Sequence, residues 1–184
     1  MAYNYWEKRK TWAGAGQTGG SGGIIGARGG DIISAPISNR AKGVGDPYGV
    51  AKYGQSLDKR QRVLLDRLQN VDDIVTVRKN SVNMTDLSAL TAHENVEFAM
   101  FTRGSERMVV RGDEGHVYIG STEAEKLSSQ GWRWSGHTHT GDPSIDTTIK
   151  LESPGDREIL NQFINQTQSV IYDSYGQHKT FEKW

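Results

Sequence analysis

Thirteen of the 22 glycines fall between Ala13 and Gln55, among them Gly19-Gly20-Ser21-Gly22-Gly23 and Gly29-Gly30, with short apolar pairs such as Ile24-Ile25 and Ile32-Ile33 between them. Glycine loses more backbone entropy on ordering than any other residue, and isolated isoleucine pairs cannot offset that loss over so long a stretch. Residues 1–55 are therefore expected to form an extended aromatic and glycine-rich arm, and a core has to be built from the residues beyond Gln55. A phosphate-cradling loop is disfavoured, because no Gly-Lys-Ser/Thr follows the glycines and no strand precedes them. Tyr3, Tyr5, Trp6 and Trp12 are the candidate anchors of the arm on a partner.

The remaining residues carry the patterns of a mixed α and β domain. Leu57 to Leu68 reads as a helix opened by Ser56, with Leu57, Leu64 and Leu68 on one face and Lys59, Arg60, Arg62 and Arg67 largely on solvated ones. It is followed by a short connector with a helical turn at Asp86 to Leu90, so residues 56–84 are expected to be helix and connector. From 85 to 184 the alternation predicts strands at Val96–Phe101, Arg107–Arg111, His116–Ile119 and Trp132–Ser135. A strand pair is predicted at Ser169–Asp173 and Lys179–Glu182, with helices at Thr122–Gln130 and from Pro154 to about Asn165. The expected class is α/β (α+β), a mixed β-sheet with packed helices.

Composition narrows the chemistry. Acidic and basic side chains balance at 22 each, which gives no global pull toward nucleic acid. Asp58 and Asp66 interleave with the basic residues of the first helix, where no aromatic residue is available for base stacking, so no nucleic-acid role is expected. Cysteine is absent, so disulfides, thiolate ligands and cysteine nucleophiles are excluded together, and any metal site has to use His, Asp or Glu. No run approaches the roughly 18 apolar residues of a membrane span, and Met1 to Trp12 does not resemble a signal peptide, so a cytoplasmic protein is expected.

The chemistry concentrates in Gly136-His137-Thr138-His139 and, after an irregular segment, Ser153-Pro154-Gly155-Asp156. A strand places residues i and i+2 on one face, so an extended run continuing through His137 and His139 aims two imidazoles the same way, while Trp132 and Trp134 are expected on the opposite face as core residues. A third ligand is available in Asp156, in the first turn of a helix whose Leu160 and Phe163 turn that carboxylate inward. The same tetrad is also an ordinary helix start, with Ser153 as N-cap and Pro154 at the first helical position. Asp142 and Asp146 are rival ligands in the intervening loop. A buried carboxylate is offered by Glu97, which interrupts an apolar run, with Glu94 just outside that run as its rival. His93, His116 and His178 read as structural or exposed residues.

The order of an upstream Glu, His-x-His and Ser-x-x-Asp resembles the signature of the JAMM (JAB/MPN) zinc metallopeptidases, and Gly131-Trp132-Arg133-Trp134-Ser135-Gly136-His137-Thr138-His139 is similar to a branch met in phage and prophage head or tail proteins. The resemblance covers roughly Thr85 to Trp184. It departs from the family at Thr140, where proline is usual, and in a longer gap between His139 and Ser153. It implies a JAB/MPN-like fold, zinc (Zn2+) held by His137, His139 and Asp156, Ser153 steadying the oxyanion and Glu97 as general base. The implied activity is zinc-dependent hydrolysis of an amide bond, as a peptidase or isopeptidase associated with a phage virion or tail-like assembly. Its partners would be a protein substrate or phage structural proteins met through the arm, in the bacterial host cytoplasm or on the virion. A non-catalytic assembly protein that retains the fold is the competing expectation.

Overall fold

A computed structural model describes residues 57–143 and 146–184. The glycine-rich arm with its aromatic anchors, Ser56 and the loop residues 144 and 145 lie outside them. The first helix, α1, runs Lys59–Leu65 and is opened by Asp58, whose side chain accepts from the Gln61 backbone N–H while the Gln61 side chain accepts from Asp58 N–H. This reciprocal capping satisfies two otherwise orphaned donors, so the helix starts later than the hydrophobic pattern alone suggests. Arg60, expected on the solvated face, is instead buried and ion-paired to Asp86 at 2.5 Å. A charge so placed requires its partner and a second acceptor, which the Ser81 carbonyl supplies at 3.1 Å.

Strand β1, Ile74–Arg78, lies within the segment read as connector. It pairs with β3, so the sheet begins upstream of Thr85. The expected turn at Asp86 to Leu90 is a full helix, α2, Met84–Glu94, capped reciprocally by Asn83 and Asp86 and ended by Asn95 in the left-handed conformation. Strands β2, Phe98–Arg103, and β3, Glu106–Arg111, form a hairpin through Gly104 at φ 56°. His116–Ile119 is not a strand: the segment after β3 is tied by turn hydrogen bonds, with Asp113 Oδ1 accepting from the Gly115 and His116 N–H groups at 2.9 Å each. Helix α3 spans Ser121–Ser129, β4 Arg133–Thr138, α4 Pro154–Asn161, β5 Gln168–Tyr172 and β6 His178–Glu182. Helix α4 thus stops short of the expected Asn165.

The six strands form one sheet in the order β1-β3-β2-β4-β5-β6, antiparallel throughout except for β4 and β5. Parallel neighbours need a crossover, and α4 provides it. Each face of the sheet buries its own apolar cluster. One contains Leu64 and Leu68 beside α1, Leu87 and Leu90 of α2, and Val77, Phe98, Met100 and Val109 of the sheet. The other contains Leu127 of α3, Leu160 of α4, Phe163, and Phe101, Trp134, Ile171 and Phe181 of the sheet. The result is a layer of helices on both faces of a mixed sheet.

One irregularity controls the placement of the histidines. Met100 pairs with Gly136 but Phe101 pairs with Trp134, leaving Ser135 as an extra residue in β4. Such a bulge reverses the alternation beyond it. Trp134 and His137 therefore share a face, with ring centroids 5.0 Å apart, and the expectation that the tryptophans and histidines point opposite ways is corrected. Gly136 sits at φ 148°, and a Cβ there would lie 2.6 Å from the Val170 carbonyl oxygen and 2.7 Å from its side chain. Neither neighbour can yield without moving β5. Gly136→Ala is expected to cost about 1–3 kcal/mol from overpacking, with backbone strain added, read as a lowered midpoint in urea unfolding.

Candidate metal centre

His137 is the penultimate residue of β4 and His139 the first beyond it. The strand end is held on both sides: Thr138 Oγ1 lies 2.5 Å from Thr91 Oγ1 of α2 and accepts from Phe98 N–H at 2.9 Å, while His139 N–H donates to Tyr172 O at 2.9 Å. With the intervening residue pinned on one face, both rings project from the other. Their Nε2 atoms are 2.9 Å apart, and His137 Nε2 is 3.1 Å from Asp156 Oδ1. His139 Nε2 is 3.9 Å from Asp156 Oδ2. Ligand atoms arranged tetrahedrally about 2.0–2.1 Å from a zinc ion lie about 3.3 Å apart, so these spacings suit a shared cation.

The donor chemistry fits as well. His139 Nδ1 faces the Ile149 carbonyl, which can only accept, so Nδ1 carries the hydrogen and the Nε2 lone pair is turned to the centre. Burial, reinforced by the neighbouring His137, pushes the His139 pKa down to about 4, so the ring is neutral at pH 7 and able to ligate. His137 has no such brace, for its Nδ1 is buried without a partner among the described residues. Aromatic packing orients it instead, with Trp134 stacked on one side and Phe181 edge-on at 6.2 Å.

Asp156 reconciles its two readings by dividing its oxygens. Oδ2 accepts from Ser153 N–H at 2.7 Å and Ser153 Oγ–H at 2.9 Å, and Ser153 Oγ accepts from Asp156 N–H at 3.2 Å, which is the reciprocal cap of α4. Oδ1 is left to face His137. Burial alone would raise this carboxyl, but the contact with His137 and the Ser153 donors outweigh it and hold the pKa at about 2. The residue preceding the cap is fixed too, since Glu152 bridges Arg157 at 2.5 Å and Lys179 at 3.0 Å.

The two rival carboxylates of the loop do not join this group. Asp146 is exposed and accepts from the Thr148 N–H and hydroxyl, and Asp142 is not among the ligand atoms that gather within 4.8 Å of one another. Glu94 is paired with Arg111 at 3.0 Å, away from the centre. Glu97 precedes by two residues Ala99, the register partner of His137, so its side chain lies on the face that carries the histidines. It is 7 % exposed, and burial, followed by repulsion from Asp156 and Asp113, pushes its pKa up to about 9. Glu97 feels the charge of Asp156 but is not among the gathered ligand atoms. His93, His116 and His178 stay outside it.

Nothing in the sequence singles out Ile149, whose backbone carbonyl sets the His139 tautomer from within the irregular loop, because no side-chain signal marks a backbone acceptor. Asp113 is equally unmarked, yet it presses on Glu97 and its Oδ2 accepts from the Tyr118 hydroxyl. No helix of the described residues is long and apolar enough to cross a membrane. Compared with known proteins, the chain matches no family model, no curated protein and no solved structure.

Proposed function

We propose that the chain is a zinc-dependent peptidase or isopeptidase of JAB/MPN-like fold, hydrolysing an amide bond with activated water. The single observation that supports this most is the meeting of two imidazole nitrogens and one helix-borne carboxylate oxygen, on the sheet face toward which the buried Glu97 also points. His137, His139 and Asp156 would hold the ion. When bound, zinc lowers the pKa of water to about 7 and polarises a carbonyl. Glu97 is the proton carrier in this reading: it takes the proton of the attacking water and returns it to the leaving amine. Its burial excludes bulk solvent from that transfer.

Ser153 would steady the developing oxyanion by turning its hydroxyl from Asp156 Oδ2 toward the substrate. The cap and the catalytic role separate experimentally, because glycine is nearly as good an N-cap as serine. Ser153→Ala is expected to cost about 1 kcal/mol of stability and Ser153→Gly only a few tenths, while both lower kcat by roughly 10²-fold. Thermal unfolding beside steady-state kinetics reads the two effects; unchanged turnover in both variants confines Ser153 to capping.

The glycine-rich arm and the resemblance to phage head and tail proteins support work on a virion or tail-like assembly, met in the host cytoplasm or on the particle. A second reading, an assembly protein that keeps the fold without catalysis, draws on the completeness of the Ser153–Asp156 cap, which occupies Ser153 and Asp156 Oδ2 without a metal. Zinc-loaded protein and its His137→Ala variant, each incubated with a peptide library and an isopeptide-linked substrate, discriminate the readings. Zinc-dependent cleavage by the parent alone supports the enzyme; stoichiometric zinc without cleavage of either substrate class supports the assembly protein.

A further inference from the structure

The sheet face that carries α1 and α2 is not covered along its whole length. At the end of the sheet where β2 finishes and β4 begins lies an open cavity of about 390 Å³, whose lining includes Lys79, Arg107, Arg133, Thr102, Ser135 and Thr180. Its side is fixed by Val170 and by Arg107, whose Nη1 donates to the carbonyl of Val82, since Val82 and Val170 belong with the α1/α2 cluster. The metal centre lies on the other face, with Trp134 and Phe181.

Three cations line this cavity and no carboxylate does. In a chain whose charges balance at 22 of each sign, that is a local excess. Among the described residues, neither Lys79, Arg107 nor Arg133 makes an ion pair. The Thr102 and Ser135 hydroxyls are 2.6 Å apart, so one of their two protons bridges them and the other is free to donate. The Gln166 amide and the remaining serine are occupied with backbone: Gln166 pairs with both the N–H and the carbonyl of Trp134, and Ser169 donates to the same carbonyl. The lining is thus held by hydrogen bonds at Gln166 and Ser169 and rich in donors where it is charged.

We infer that this cavity is a binding site for a phosphate group, free or carried as a small phosphomonoester. Several cationic donors lining one cavity suit an anion with several acceptor oxygens and more than one charge, and guanidinium groups pair with phosphate through parallel N–H donors. A concave wall of one sign also concentrates such an anion from solution. The Trp134 ring is packed on the opposite face against His137 and Phe181, so it offers no stacking surface for a nucleobase.

The test uses the full chain stripped of metal, so that phosphate cannot be captured by zinc. Inorganic phosphate, glycerol 3-phosphate and an oligoglutamate peptide are titrated at constant ionic strength against chloride, with binding followed by calorimetry and by amide shifts of Thr102, Ser135 and Thr180. Saturable binding of phosphate or of the ester is expected. Lys79→Ala/Arg133→Ala, which alters two exposed side chains and leaves the Arg107–Val82 contact in place, should weaken it at least tenfold. Tighter binding of the ester than of phosphate identifies a phosphorylated metabolite as the source, and equal binding identifies the free ion. Absence of saturable phosphate and ester binding, binding of oligoglutamate alone, or undiminished affinity in the double variant overturns the assignment.

Discussion

Replacing His137 with alanine is expected to abolish stoichiometric zinc binding and, with it, all hydrolysis. His137 Nε2 is the hub of the group, 2.9 Å from His139 Nε2 and 3.1 Å from Asp156 Oδ1, so its loss leaves two ligands that no longer share a third. Losing an outer-shell partner of a metal ligand typically costs about 10–100-fold in affinity; removal of a ligand itself should exceed that. The fold should survive. The ring is enclosed by Trp134 and Phe181, so truncation opens a cavity costing about 2–4 kcal/mol, and circular dichroism should remain that of the parent. Metal content after gel filtration, measured beside the spectrum, checks the pair of outcomes. Parent-like zinc in the folded variant would show that the ion sits elsewhere.

Glu97→Gln is expected to do the reverse, keeping the metal and losing the reaction. Glutamine preserves size and removes the ability to accept a proton, so kcat should fall by roughly 10²–10⁴-fold, the usual contribution of a positioned acid–base group, with zinc still stoichiometric. A second signature appears in metal-free protein. Burial pushes Glu97 up to about 9, with repulsion from Asp156 and Asp113 adding to it. A carboxyl whose folded pKa exceeds its unfolded value of 4.5 contributes stability that is fully present below that value and is lost as pH rises toward 9. Metal-free parent should therefore lose Tm across that window, and Glu97→Gln should flatten the loss. A bound divalent cation offsets the Asp156 charge and favours the ionised form, so zinc should likewise flatten it in the parent. A parent and variant with the same pH slope would put Glu97 in solvent and remove it as the base.

The meeting of His137, His139 and Asp156 is more legible in the sequence than the architecture around it. His-x-His at strand spacing and a carboxylate in the first turn of an amphipathic helix depend on local periodicity alone, and the three ligand atoms do gather within 4.8 Å. Glu97 interrupts an apolar run whereas Glu94 lies just outside it, and accordingly Glu97 is buried while Glu94 pairs with Arg111. Strand β1 was hidden because Ile74–Arg78 is bounded by charged residues and becomes a strand only by pairing with β3. Helix α2 was hidden by the opposite effect. It buries Asp86, Ser88 and Thr91 along with its leucines, so its polar residues mark no solvated stripe. The bulge at Ser135 could not be read at all, since the alternation of Trp132, Trp134 and the histidines is broken by register with β2 and not by anything local.

Whether two imidazoles and a carboxylate hold one ion is read most plainly by X-ray absorption at the zinc edge, on full-length protein loaded with one equivalent of the metal. The expected spectrum has a first shell of two imidazole nitrogens with the rest oxygen, at about 2.0–2.1 Å, and loses imidazole scattering in His137→Ala. A first shell of oxygen alone, or one that His137→Ala leaves unchanged, would contradict a centre built on His137, His139 and Asp156.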